Sequence, residues 1–317
     1  MKITKPPKLG EGSTLGIVSP SMTIGDLRDD YERGLRCLRE LGFRVKEGET
    51  TRATGGDMPG SDEERAADIN SMFADDEVDG IMCAMGGRYA LRTLRHLDWG
   101  LIRGNPKVFS GMSDITTFHL AMLAKVGLPC LHQSDVVFGF GESPSSPEWS
   151  YETGLFTRVT MRPEALGVFP RFSEWECWRG GEAEGVLLGG HTTTLQSLIG
   201  TPYYPRLNVK TVLFIESMSV YLNSLEKILV QMREAGLLDR VTAILVGKVR
   251  GEEDSAVVDK TDEVKESVLM VAEELDVPVV AKMDFGHYTP NLPLPIGCRA
   301  RVDADNLEVS ITESYVI

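Results

Sequence analysis

No stretch of the 317-residue chain approaches the roughly 18 consecutive apolar residues of a membrane span. The opening MKITKPPKLGEGSTLGIVSP holds only a short apolar stretch, Thr14 to Val18, too brief for the core of a secretory signal. No contact with a membrane is therefore expected. Cysteine is scarce: Cys37, Cys83, Cys130, Cys177 and Cys298 are scattered, odd in number and never in a C-x-x-C, which argues against a disulfide framework or a zinc knuckle. The default compartment is a reducing cytoplasm. Positive charge is also short, with 33 Lys plus Arg against 47 Asp plus Glu, and a net charge of -14 without a basic patch repels nucleic acid. Neither G-x-G-x-x-G nor G-x-x-x-x-G-K-[ST] occurs, no two histidines stand at i, i+4, and the acidic run GEEDSAVVDKTDE lacks the spacing of a calcium loop and reads as a solvated loop. No metal or organic cofactor is expected.

What remains is an ordinary folded protein, 42% hydrophobic and 25% charged, long enough for two domains. Over the first 130 or so residues, short apolar runs alternate with amphipathic stretches, the pattern of βα units around a parallel sheet. TLGIV reads as a strand; Tyr31, Leu35 and Leu38 mark one face of a helix that Gly42 ends; Ser61 with Glu64 forms a capping box before the next helix. Further strands are read in VDGIMCAM, KVFSG and LPCLH. The fold class is thus α/β: an N-terminal Rossmann-like parallel sheet with flanking helices in residues 1–140, and a smaller C-terminal α/β domain in residues 181–317. Between them, FGFGESPSSPEWSYETG is rich in Gly, Ser, Pro and aromatics and reads as a linker or lid, 141–180.

The most informative local feature is GMSDITTFHLAML after KVFS. Ser113 falls in a tight strand-to-helix turn that exposes its hydroxyl, and the N–H of Asp114 lies at the helix N-terminus, ready to donate to an oxyanion. The G-x-S-x-G pattern is not met, since residue 115 is Ile, and either residue could simply cap the helix. A serine nucleophile needs a base. Of five histidines, His96 and His119 lie inside predicted helices, whereas His287 sits in the turn-rich segment MDFGHYTPNLPLPIG after a strand, either as a reactive group or as a loop histidine bonded to backbone. A carboxylate to orient it is expected at a strand end; Glu216 ends TVLFIE, with a carboxylate at a helix N-terminus as the other reading. The pairs Gly86-Gly87 and Gly189-Gly190 allow a ligand close to the backbone or make ordinary turns. Trp175 and Trp178 offer rings for stacking or for packing.

Taken together, GIVSPS, MGGRYALRTL, NPKVFSGMSDIT, LLGGHTTTLQSLIGTPYYP, LFIES and DFGHYTPNLPLPIG make the chain resemble the serine peptidases that comprise bacterial LD-carboxypeptidases and microcin C immunity proteins. The resemblance covers nearly the whole chain. It implies Ser113 as nucleophile, Glu216 and His287 as its partners, an oxyanion hole from the amides of Asp114 and Gly87, a site at the domain junction, and a cytoplasmic homodimer without cofactor. It also implies a small-molecule substrate: first the L,D-amide to the terminal D-Ala of a murein tetrapeptide, alternatively an aminoacyl-nucleotide amide. A non-catalytic peptide or nucleotide binder is the third reading. Gly86, Arg88, Trp175, Trp178 and His191 are expected around the substrate, and Arg88, Lys248 or Lys282 would meet its carboxylate. The chain departs from the family pattern at Met112, at HQSD (132–135) and at His191, where the family has an aromatic residue, H-G-P and asparagine.

Overall fold

The computed structural model describes residues 2–54, 56–142, 145–218, 222–253 and 256–317. Five strands, β1 (Thr14–Val18), β2 (Arg44–Glu47), β3 (Gly80–Cys83), β4 (Val108–Gly111) and β5 (Cys130–His132), form a parallel sheet in the order β5-β4-β3-β1-β2. Every residue of β1, β3, β4 and β5 is buried, as expected for strands covered on both faces by helices. The helices are α1 (Arg28–Glu40), α2 (Asp62–Ala74), the short α3 (Ala90–Thr93) and α4 (Trp99–Gly104), α5 (Thr116–Val126), α6 (Pro147–Met161), α7 (Thr192–Leu198), α8 (Leu222–Glu234) and α9 (Lys265–Leu275). Tyr31, Leu35 and Leu38 do form the buried face of α1, and Ser61 and Glu64 close the capping box of α2 at 3.1 and 2.7 Å.

The second sheet is mixed. It runs β6-β16-β15-β8-β9-β10-β13-β7, built from β6 (Gly167–Val168), β7 (Glu176–Arg179), β8 (Glu182–His191), β9 (Thr211–Glu216), β10 (Val241–Lys248), β13 (Val279–Gly286), β15 (Arg299–Asp303) and β16 (Glu308–Ile311). Its central strands β8, β9, β10 and β13 are parallel, and its flanking strands are antiparallel. With eight strands, of which β6 and β7 come from residues 141–180, it is the wider of the two large sheets. β14 (Leu294–Ile296) leaves this half of the chain altogether and pairs antiparallel with β5, Leu294 opposite His132, as the edge of the first sheet.

Two segments differ from the sequence reading. Within the expected linker, α6 is a regular helix: Ser146 accepts the N–H of Trp149, Pro147 takes the first turn, and Leu155, Phe156 and Val159 are buried. Phe156 packs edge-on against Phe43 and Phe140, which ties the helix to the first sheet's layer. The turn-forming residues that mark the segment as a loop cluster before residue 147, and the apolar spacing follows them. The acidic run read as a solvated loop instead carries a hairpin, β11 (Arg250–Glu253) with β12 (Ala256–Asp259); its residues 254–255 lie outside the described residues. Among the described residues no helix is long and apolar enough to cross a membrane.

Candidate active site

The strand order of the first sheet reverses between β1 and β3, and in open α/β sheets ligands bind outside the carboxyl ends of the strands at such a point. Here those ends supply Met22 after β1, Met85, Gly86 and Gly87 after β3, Met112 and Ser113 after β4, and Ser134 and Asp135 after β5. Together with Gly286, His287, Tyr288, Thr289 and Asn291 from the loop between β13 and β14, they enclose a cleft of about 690 Å³.

Ser113 stands in the left-handed region at φ 62, a conformation that costs a non-glycine residue on the order of 1–3 kcal/mol and recurs at functional sites. Its Oγ lies 3.0 Å from Nε2 of His287, and Nδ1 of the same ring lies 2.7 Å from Oε2 of Glu216. Glu216 ends β9 and is 1% exposed. Burial alone favours its neutral acid, but the charges of His287 and His191 and the His287 hydrogen bond outweigh it and hold the carboxyl at about 2. Burial disfavours the His287 cation, yet the Glu216 charge and hydrogen bond prevail and raise its pKa above the ordinary 6.5. A hydroxyl, an imidazole and an ionised carboxylate are thus in one hydrogen-bonded line, with the ring nitrogen facing Glu216 as donor and the one facing Ser113 as acceptor.

Opposite Ser113 lies the glycine pair. A Cβ on Gly86 would come within 2.9 Å of the Ser113 Cβ, and one on Gly87, at φ 147, within 2.5 Å of the Ser21 Oγ. Glycine at 86 lets this loop lie against Ser113, and glycine at 87 lets it lie against the loop after β1. Gly86 donates its N–H to Asp135 Oδ2 at 3.2 Å, leaving Gly87 as the amide of the pair that can serve a ligand. The Asp114 carboxylate accepts from Ser21 Oγ at 2.5 Å and from the N–H of Ala90 at 2.9 Å, so the turn carrying Ser113 is tied to the β1 loop and to α3.

The His287 loop has its own support, which sequence reasoning missed. Asn291 accepts the N–H of Gly286 at 2.8 Å and donates to the Gly286 carbonyl at 2.7 Å and to Ser134 Oγ at 2.9 Å. Its backbone N–H reaches Glu152 of α6 at 3.3 Å. Burial pushes the Glu152 carboxyl up to about 8, against the opposing Ser134 and Asn291 hydrogen bonds, and it pushes Asp135 up to about 7. Glu152 therefore contributes full stability only below its ordinary 4.5 and loses it as the pH rises through about 8. Glu152→Gln should flatten the fall of the thermal midpoint between pH 5 and 8, as scanning calorimetry at both values would read; an equally steep fall in the variant would refute this.

Two family models match the chain: the LD-carboxypeptidase N-terminal domain over residues 15–133 and the LD-carboxypeptidase C-terminal domain over residues 184–302. The chain belongs to the LD-carboxypeptidase family. It is by that membership a serine-type peptidase, a hydrolase. The probable murein peptide carboxypeptidase of Bacillus subtilis is 31% identical over 94% of this chain and 91% of that protein. The microcin C7 self-immunity protein MccF of Escherichia coli is 27% identical over 97% of this chain and 95% of its own length. A structure of MccF, a mutant in complex with adenosine monophosphate, superposes with a TM-score of 0.87 at 25% identity, covering 99% of this chain and all of that one. Another shows MccF with glutamyl sulfamoyl guanosine, at the same score and identity.

Not every residue expected around the substrate of this LD-carboxypeptidase family member lines the cleft. Gly86, Gly87 and Arg88 do. Trp175 does not: it is 4% exposed and its indole N–H donates to Asp284 at 2.8 Å, because a buried carboxylate, not a ligand, is its partner. Trp178 lies on β7 at the far edge of the second sheet, bonded to Glu176 and under the Lys265 ammonium. Lys248 faces Asp284 at 3.5 Å, and Lys282 pairs with Glu176 and Asp262. Arg250, which sequence reasoning passed over, lines the cleft beside Met218. His191 is buried beside His287, its ring 5.3 Å from that of His287 and its Nδ1 3.1 Å from Thr193 Oγ1; burial lowers its pKa. His191, Glu216 and His287 are also the one group among the described residues whose donor atoms could hold a metal ion, all lying within 4.8 Å of one another.

Proposed function

We propose that the protein hydrolyses an amide by acyl transfer through Ser113, His287 and Glu216, and that its substrate is a murein tetrapeptide from which the terminal D-Ala is released. His287 Nε2 takes the Ser113 proton as Oγ attacks the carbonyl, Glu216 holds the ring and stabilises its cation, and the amides of Asp114 and Gly87 receive the oxyanion, each worth about 10²- to 10³-fold in rate. The protonated His287 then gives its proton to the leaving amine, and water attacks the acyl-enzyme with His287 again as base. The nucleophile comes from the N-terminal unit and both partners from the C-terminal one. From family membership we further infer a cytoplasmic homodimer.

The observation that carries the substrate reading is Arg88. It is exposed on the cleft wall next to the glycine pair, so it is placed to receive the free carboxylate that a carboxypeptidase must recognise. Relatives support the same reading: the murein tetrapeptide carboxypeptidase of Pseudomonas aeruginosa is 25% identical over 92% of this chain. Arg88→Ala should cut kcat/KM roughly 10- to 100-fold by losing a charge-assisted hydrogen bond, mainly through KM, and should leave a C-terminally amidated substrate unaffected. Equal losses on both substrates would remove Arg88 from this role.

A second reading rests on two aromatic rings. Phe138, 37% exposed, and Tyr288 both line the cleft and could stack on a nucleobase, as an aminoacyl-nucleotide amide would require. Wild type incubated separately with murein tetrapeptide and with an aminoacyl-sulfamoyl adenosine, read by mass spectrometry, separates the two. Release of D-Ala supports the first reading, and release of the nucleoside alone replaces it with the second.

A further inference from the structure

We propose that His191, Glu216 and His287 form a binding site for zinc or a similar divalent transition ion, and that an ion bound there silences the serine. The three residues come from the ends of strands in one sheet, β8 and its neighbour β9, and β13 beyond β10. His191 closes β8 directly opposite Glu216 at the end of β9, and His287 follows β13. Their donor atoms already lie within 4.8 Å of one another, and a tetrahedral ion with bonds of about 2.0–2.2 Å needs them roughly 3.3 Å apart, so the wider gaps must close and the 2.7 Å between His287 Nδ1 and Glu216 Oε2 must open slightly. Glu216 Oε1 is buried and, among the described residues, has no hydrogen-bond partner. Two imidazoles and one carboxylate suit zinc, whereas magnesium prefers an all-oxygen shell that keeps its waters.

The silencing follows from the tautomer, and it rests on the reading of His287 as the base. In the metal-free site Nδ1 carries the proton and donates to Glu216 at 2.7 Å, while the Nε2 lone pair faces Ser113 at 3.0 Å. An ion on Nδ1 takes the lone pair of that nitrogen, so the ring proton must reside on Nε2. No proton is gained or lost overall, but Nε2 becomes a donor and can no longer receive the Ser113 proton. The cleft wall, on the other side of the ring, is untouched. His191 supplies the third donor.

Zinc chloride titrated into the wild type should lower kcat while leaving KM unchanged, EDTA should restore activity, and magnesium should have no effect. Calorimetry on Ser113→Ala should still show one zinc bound per chain, a readout that needs no turnover. His191→Asn and the bulkier His191→Gln should each raise the zinc concentration for half-inhibition at least tenfold, since a lost supporting partner alone costs roughly 10- to 100-fold in metal affinity. No zinc heat with Ser113→Ala would overturn the site, and binding without loss of kcat would overturn the silencing. Unchanged zinc sensitivity in both His191 variants would remove His191 from it. If neither substrate class is turned over, the hydrolytic reading fails while the calorimetric arm still decides the site.

Discussion

Ser113→Ala is expected to lower kcat by about 10⁶-fold, the loss seen when a triad nucleophile is removed and only the oxyanion donors and binding remain. The substitution takes away a single oxygen, and Ser113 Cβ keeps its place beside Gly86, so the cleft wall is preserved and substrate should bind as before. Alanine at φ 62 is no more strained than serine, and the fold should hold. The check is single-turnover kinetics together with equilibrium binding of the tetrapeptide. Residual turnover within tenfold of wild type would sink the covalent mechanism, whereas a wild type that binds but never turns over would favour the non-catalytic binder.

Glu216→Gln should lower kcat about 10⁴-fold, because an amide in this place lets the imidazole adopt the wrong tautomer. Its pH profile is the more telling result. Activity requires neutral His287, so in the wild type kcat/KM falls as the pH drops through the His287 pKa, which the Glu216 charge and hydrogen bond hold above 6.5 despite burial. With that charge removed, burial dominates and the acid limb moves to lower pH while the plateau drops. An acid limb that stays in place, or moves up, would mean that Glu216 does not set the charge state of His287.

That Ser113, Glu216 and His287 meet was legible in sequence because each sits near a strand end beside a turn, a pattern that local composition displays. Ser113 follows VFSG, Glu216 ends TVLFI, and His287 follows VVAKMDFG. Much of the remaining cleft was not legible, because it depends on which chain segments meet. Asn291 reads as part of an ordinary Pro-rich turn; only the return of that loop beneath Ser134 and α6 reveals it as the clamp on Gly286. Trp175 illustrates the opposite error. An aromatic pair near the domain junction suggests stacking, but Asp284, more than a hundred residues later, accepts the Trp175 N–H. Likewise α6 was hidden by the turn-forming residues at its start, and β14 by its brevity.

That small strand has a consequence for how the protein comes into being. Its three residues lie late in the chain yet complete the edge of a sheet whose other strands all come from the first 132 residues. The loop bearing His287 is held at one end by β13 and at the other by β14, so it spans the two sheets like a stitch. A chain still under synthesis can assemble the serine turn early, but it acquires both His287 and the edge strand β14 only once residues 287–296 have emerged. The nascent protein is therefore expected to be inert until residue 296 has been made. Cutting the gene at the apparent boundary between its halves would yield an N-terminal fragment without its sixth strand and a C-terminal one whose β14 has no sheet to join.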